Sequence, residues 1–314
     1  MQSFLDSIKW ELGCSLPHEH WEWLNGIGIF ETPSLRPHVA PFPHADLMAK
    51  TTGGLSVEQD FAKHGVDIFH ALVEASPVPI AAFKNILDFG CGCGRLARMF
   101  KGHPGDVAGC DIDRGMIQWV KENLNYMSAV LTGPKPPLPF SNNEFDAIIS
   151  ISVFTHLNEK SQDEFLRELG RIASKKGYLF LTVHGARALE RAKTEKRIFD
   201  MLDIDRVAFN KACVDFDNGR HAFIHQFDDF AKVNACGQVG GSEKDVPVGP
   251  LSVNRIFKAL KGKYFVSNER YPYGIAFVSE KYLRRHWAKW FHVDAVRHGA
   301  IHDFQDIVVL SAKN

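Results

Sequence analysis

The chain has 314 residues, enough for one large domain or for a core with an added subdomain. Apolar residues make up 45% and charged residues 24%, which excludes disordered, collagen-like and coiled-coil chains. Lys plus Arg and Asp plus Glu are both 37, a formal net charge of zero that lacks the electrostatic attraction on which nucleic-acid binders depend.

The N-terminal stretch MQSFLDSIKWELGC carries acids and a Trp where a secretory signal needs a basic start and an apolar run, so a cytoplasmic protein is expected. Residues 1–84 are rich in Trp, His and Pro and are expected to form an N-terminal helical segment on the substrate side. Within it a helix is expected from Ser56 to Ala75, where Val57, Phe61, Ile68, Phe69 and Leu72 recur at helical spacing.

From Asn85 short apolar runs alternate with amphipathic stretches, the pattern of βαβ units around a parallel sheet. Strands are expected at 86–89, 106–110, 128–131, 146–151 and 178–183, rich in β-branched and aromatic residues. Helices are expected from Arg95 to Lys101, from Gly115 to Leu124 and from Ser161 to Ala173, the last opened by a capping box of Ser161 and Glu164. The longest apolar stretch, AIISISVF at 147–154, is too short to span a bilayer.

After Gly185 the alternation stops. Residues 187–270 are expected to be an inserted cap, including the soft stretch GQVGGSEKDVPVGP at 237–250. Residues 271–314 complete the core, with FHVDAV (291–296) and FQDIVVLSA (304–312) closing it as an antiparallel hairpin. The expected fold is α/β: a doubly wound, mostly parallel seven-stranded sheet, built on the core 85–186 and carrying an inserted cap.

The chemistry concentrates at ILDFGCGCGR, residues 86–95, where a strand runs into a glycine turn and then a helical stretch. Glycines allow close backbone approach to a ligand, and amides at a following helix N-terminus favour an anionic group. A dinucleotide turn requires G-x-G-x-x-G, but counting from Gly90 puts Arg95 where the third glycine belongs, with Gly94 one place early. A nicotinamide-dependent oxidoreductase is therefore the weaker alternative. Asp111, in GCDID at the tip of the second strand, stands where a carboxylate accepts the ribose hydroxyls of an adenosyl group, while Asp113 is expected to cap the next helix.

Together, DFGCGCGR, GCDID, LPFSNNEFDAIISISVFTHL (138–157) and YLFLTVHG (178–185) resemble class I S-adenosylmethionine-dependent methyltransferases. The resemblance spans about residues 36–185 and resumes at 271–313, where the sequence is similar to a bacterial branch of unassigned acceptor, associated with surface-glycan and natural-product pathways. It implies S-adenosylmethionine as cofactor. Asp88, Gly90, Gly92 and the backbone near Cys91 would hold the methionine part, Asp111 the ribose, and Ile112 would flank the adenine, with Ser150 also in the cofactor set. One departure is that VLTGPKPPLPF follows the third strand, where many family members place an Asp for the adenine amino group.

Methyl transfer requires acceptor and methyl held in line with water excluded, and a hydroxyl acceptor also calls for a base. Ser150, Ser152, Thr155, His156 and His184 are expected at the strand ends. His184, at a strand tip, and His156 are the candidate bases, each with a structural hydrogen bond as the alternative. Tyr271, Tyr273, Trp287 and Trp290 would line an acceptor pocket or pack a core. Arg95 would meet a carboxylate or lie in solvent. The six cysteines (14, 91, 93, 110, 213 and 236) form neither a disulfide framework nor a zinc set, and the pairs His18/His20 and His221/His225 read as surface residues. The function expected is methyl transfer to a small-molecule or glycan-intermediate acceptor, O- rather than N-methylation, with no nucleic-acid partner. A non-catalytic scaffold retaining the cofactor fold is the other alternative.

Overall fold

The structure is a computed structural model and describes residues 14, 16–230 and 270–313. Seven strands form one sheet: β1 (Asn85–Phe89), β2 (Asp106–Asp111), β3 (Ser128–Leu131), β4 (Phe145–Ser150), β5 (Ala173–Val183), β8 (Phe291–Ile301) and β9 (Gln305–Ala312). Their order is β3-β2-β1-β4-β5-β9-β8. The first five are parallel, and β9 and β8 close the sheet antiparallel. The chain order reverses between β1 and β4, and such switch points are where doubly wound sheets bind ligands.

Alternation along the strands fills two cores. Ile86, Ile149 and Phe180 face one side, where α1 (His18–Trp23) and α3 (Glu58–Ala75) supply Trp21, Ile68, Phe69 and Leu72. Leu87, Ile148 and Leu179 face the other, against Phe165, Leu166 and Leu169 of α5 (Glu159–Ile172) and Leu283 of α9 (Glu280–His286). A further apolar cluster joins α2 (Ala45–Thr52), the glycine turn and α4 (Arg114–Asn123) through Met48, Cys93, Met116 and Trp119.

Two local expectations change. The helix over the fourth-to-fifth strand connection opens at Glu159, and its cap is Asn158, whose side chain accepts from the Ser161 amide at 2.9 Å. Ser161 thus lies inside the first turn and forms no capping box. The stretch from Arg95 to Lys101 contains only a 3-10 turn over Ala97–Phe100. The main sheet resumes at Phe291 and closes with the expected antiparallel hairpin, while β7 (Arg270–Phe277) pairs antiparallel with β6 (Ala222–Phe230) in a separate two-stranded sheet.

Helices α6 (Ala186–Thr194), α7 (Lys196–Leu202) and α8 (Arg206–Asp217) pack on that small sheet through Leu189, Phe209, Phe216, Ile224 and Phe277. His225 lies exposed in β6, and His221 just before it is half-buried. The 237–250 stretch and Cys236 lie outside the described residues. Among the described residues no helix is long and apolar enough to cross a membrane, and no cluster of His, Cys, Asp and Glu is fit to hold a metal.

Candidate active site

The turn after β1 is shaped by three glycines with left-handed backbones: Gly90 at φ 80°, Gly92 at φ 54° and Gly94 at φ 85°. An L side chain rarely adopts these angles. Space is equally short, since a Cβ on Gly90 would stand 2.3 Å from Val153 Cγ2. The loop after β4 therefore rests directly on the turn after β1, and the two strand ends form one site. The amides of Gly90 and Cys91 both donate to the Cys110 carbonyl at 2.8 and 3.0 Å, which ties the turn to β2.

Asp111 continues that tie, accepting from the Gly92 amide at 2.9 Å and the Asp113 amide at 2.8 Å. Burial pushes its carboxyl up to about 6, against these hydrogen bonds. Asp113 caps α4 as expected, accepting from Gly115 and Met116, and its second oxygen pairs with Lys50 of α2. Ile112 lies half-buried between the two acids. Asp88 is 2% exposed, and among the described residues its Oδ2 has no hydrogen-bond partner. Burial raises this carboxyl to about 7, with Arg95 opposing and Asp111 adding to the shift.

The residues expected at the ends of the fourth and fifth strands come together, though not all at a surface. Ser150 and Thr155 are fully buried, with hydroxyl oxygens that have no partner among the described residues. Ser152, at φ 61°, donates its amide to Thr182 Oγ1 at 2.7 Å and meets Gln305 through its hydroxyl. His156 Nδ1 lies 2.9 Å from the Gly274 carbonyl and must donate to it. Its ring stacks on Tyr273 at 4.7 Å.

His184 is 3% exposed and hydrogen-bonded to the Ala276 backbone. Its buried Nδ1 has no partner among the described residues, and burial beside Phe277, Phe304 and His156 lowers the imidazole to about 3. The two histidine rings stand 6.5 Å apart. Of the aromatics, Trp287 is fully buried and packs edge-on against Phe154 in the core. Tyr271 is buried as well, and Trp290 lies at the same core's margin.

Several contributors escaped the sequence patterns. Lys50 and Thr51 of α2 cover the glycine turn, with Thr51 Oγ1 3.0 Å from Cys93 Sγ. Gln305 and Val153 shape the loop after β4, and His64 of α3 meets the Arg95 guanidinium at 3.2 Å. Arg95 itself is 8% exposed, which overturns the solvated alternative. The one local signal for His64 is the adjacent Gly65, where a helix interior carries a residue that disfavours helices.

Residues 87–181 match the family described as Methyltransferase domain. The fold is that of Rossmann-like methyltransferases: a protein from Pyrococcus horikoshii OT3 has 13% identity and a TM-score of 0.51, with 81% of this chain and 92% of that one covered. A putative S-adenosylmethionine-dependent methyltransferase from Listeria monocytogenes has 10% identity and a TM-score of 0.47, over 80% of this chain and 98% of that one. One from Methanosarcina mazei has 13% identity and a TM-score of 0.44, over 73% and 92%. Residues 87–181 therefore carry a methyltransferase domain, which implies S-adenosylmethionine as the methyl donor. The nicotinamide alternative has no counterpart in that match.

Proposed function

We propose that the chain moves the methyl group of S-adenosylmethionine to a hydroxyl of a small molecule or glycan intermediate, the segment 187–270 acting as the cap that selects the acceptor. Asp88, Gly90, Cys91 and Gly92 take the methionine part, Asp111 the ribose, and Ile112 a face of the adenine, with Ser150 beside them. The donor supplies an electrophilic methyl carbon on a sulfonium.

The fit rests on two features of the site. The Asp88 carboxylate is buried with an oxygen that no group among the described residues satisfies, and an ammonium group from a ligand meets that need. Asp111 retains lone pairs beyond the two amides it already accepts, since a carboxylate offers about four acceptor positions.

The observation that carries O-methylation is the buried, unpartnered Nδ1 of His184 at the tip of β5. A neutral imidazole nitrogen accepts a hydrogen bond from the acceptor's O–H, orients the acceptor oxygen's lone pair toward the methyl carbon and takes the proton as the O–C bond forms, while the methyl C–S bond breaks and its electron pair stays with the thioether sulfur that leaves. The Ala276 backbone bond holds the other ring nitrogen protonated, which fixes that tautomer. His156 is oriented by the same strand, through Gly274, and lies one ring away. The aromatic surroundings of His184 keep water from the transfer.

Two measurements test the proposal. Titration calorimetry with S-adenosylmethionine and S-adenosylhomocysteine should give binding that Asp111→Ala removes. Methyl transfer from labelled donor to a panel of hydroxyl, amine, carboxylate and thiol acceptors should favour hydroxyls and collapse in His184→Ala. Turnover on amines with His184→Ala unimpaired would overturn the O-methylation reading, and donor binding without turnover on any acceptor would favour the scaffold alternative.

A further inference from the structure

His184 sits at a junction of strand ends. Its carbonyl accepts from the Val278 amide at 2.9 Å, and a parallel bridge joins it to Phe277 at the end of β7. Val183 before it pairs with Asp306 of β9. Gly185 after it is the N-cap of α6, and a Cβ there would stand 1.9 Å from Asp306 Oδ2, so the carboxylate fills the space that a side chain would need. Glu280 opens α9 two residues after Val278. The backbone around His184 thus leads to an acid on either hand, Asp306 and Glu280.

One ring spans both acids. His298, in a bulge of β8, has Nδ1 2.9 Å from Asp306 Oδ2 and Nε2 3.0 Å from Glu280 Oε2. A carboxylate only accepts, so between two ionised carboxylates both ring nitrogens donate and the ring is an imidazolium. Asp306 is 2% exposed, and its other oxygen takes the Gly299 amide at 2.8 Å, so this buried acid is fixed in place with His298 as its counter-charge. The other charges nearby are engaged elsewhere. Arg284 of α9 donates to the second oxygen of Glu280 at 2.7 Å, and Asp303, across Gly299, is held by Arg187 of α6. Asp306, with Glu280 adding to it, raises the His298 imidazole above its ordinary 6.5.

We propose that the His298 imidazolium is a positioning residue for His184: by bridging Asp306 and Glu280 it closes the ring of contacts from Gly185 round to Val278 and holds the β5–β7 junction that aims the His184 imidazole. This role rests on the reading of His184 as the base. The Ala276 bond that fixes the His184 tautomer comes from the same end of β7, so a slackened junction misdirects Nδ1 and leaves the donor site intact. The folded state holds the His298 proton more tightly than the unfolded chain. The clasp is therefore fully present below pH 6.5 and is lost as pH rises through the higher folded value. Glu280, His298 and Asp306 all lie outside the 87–181 domain match.

The test pairs kinetics with amide exchange on the full chain. With a hydroxyl acceptor, His298→Gln should lower kcat about ten- to a hundredfold, the scale on which a displaced reacting group acts, while S-adenosylhomocysteine affinity stays within about twofold. Hydrogen exchange at the Val278 amide, corrected for its intrinsic pH dependence, should quicken in this variant, and in wild type should quicken as His298 loses its charge. Wild-type kcat should fall on the alkaline side, and the fall should vanish in His298→Lys, which keeps a cation there and retains part of the activity. Asp88 titrates in the same region, so the disappearance of the fall, and not its midpoint, identifies His298. Should His298→Gln not fold, Glu280→Gln opens the clasp from its half-exposed end and should give the same pattern in weaker form. Unchanged Val278 exchange, an alkaline fall that survives in His298→Lys, or equal losses for hydroxyl and thiolate acceptors overturns the positioning role. Turnover that collapses in His184→Ala but not in His298→Gln removes this inference alone. Hydroxyl turnover that survives His184→Ala removes the base reading and this inference together.

Discussion

The amide of Gly92 donates to Oδ2 of Asp111 across 2.9 Å, so the side chain expected to hold the ribose also holds the turn expected to hold the methionine part. Its other oxygen fixes the Asp113 amide at 2.8 Å, and Asp113 in turn caps α4 and pairs with Lys50. Donor binding and loop geometry therefore share one residue. Asp111→Ala leaves two inward-facing amides without acceptors, which costs about 1–3 kcal/mol for each group left buried. The expected outcome is a lower urea midpoint in ligand-free protein as well as lost donor binding. A variant that loses binding with an unchanged midpoint would show that the two amide bonds contribute nothing to the fold.

Gly90 meets two separate constraints, a backbone at φ 80° and a side chain across from it, Val153. The added Cβ of Gly90→Ala would clash with Val153 Cγ2, and the left-handed backbone would cost a further 1–2 kcal/mol or so. The double variant Gly90→Ala/Val153→Ala should recover the steric part and keep the backbone part. Chemical unfolding of the four proteins in the cycle should show a favourable coupling between the sites of about 1 kcal/mol or more. Additive losses would mean that Val153 moves aside without cost.

How far the sequence revealed this site depends on whether a feature is local. A glycine turn needs left-handed backbones and is written in consecutive residues, so ILDFGCGCGR located both the strand and the loop. The caps divide the same way. Asp113 was legible because its turn follows directly, whereas Asn158 lost to the more conspicuous Ser161/Glu164 pair although it stands one residue before the helix. Ser161 competes poorly because its own amide is already the donor to Asn158. Arg95 and His64 are 31 positions apart, and no periodicity relates them; only the close approach at Gly65 joins them. The strand at 270–277 carries no local signal of its pairing because its partner, 222–230, precedes it by a long connection.

Asp88 gives the site a pH signature. Its folded carboxyl lies at about 7 against an ordinary 3.8, so the folded state binds the proton more tightly than the unfolded chain. The resulting stabilisation is fully present below about pH 4 and is lost as pH rises through 7. Asp88→Asn has no proton to lose. Relative to wild type it should gain about 1–3 kcal/mol at pH 8 and little at pH 4, while binding S-adenosylhomocysteine more weakly. Urea unfolding of both proteins at pH 4.5, 6 and 8 measures the difference. A constant difference across that range would mean that Asp88 is hydrated and titrates normally.

His184 has the opposite sign. Burial lowers its imidazole to about 3 from 6.5, so the folded state holds the ring neutral while the unfolded chain protonates it. The stability contributed is complete above pH 6.5 and falls away as pH drops toward 3. His184→Gln should flatten that part of the profile, leaving wild type and variant closest at low pH. The same burial bears on catalysis: a ring that stays neutral from pH 5 to 9 puts no ionisation of its own into kcat/KM over that range. Its loss should instead appear in rate, with His184→Ala lowering kcat about 100- to 10,000-fold for a hydroxyl acceptor, the usual contribution of a positioned base. A thiolate or carboxylate acceptor needs no proton removed and should be nearly indifferent to the same change. The ratio of the two losses separates a base from a packing residue: a ring that only fills the space between Phe277 and Phe304 would depress turnover of both acceptor types alike.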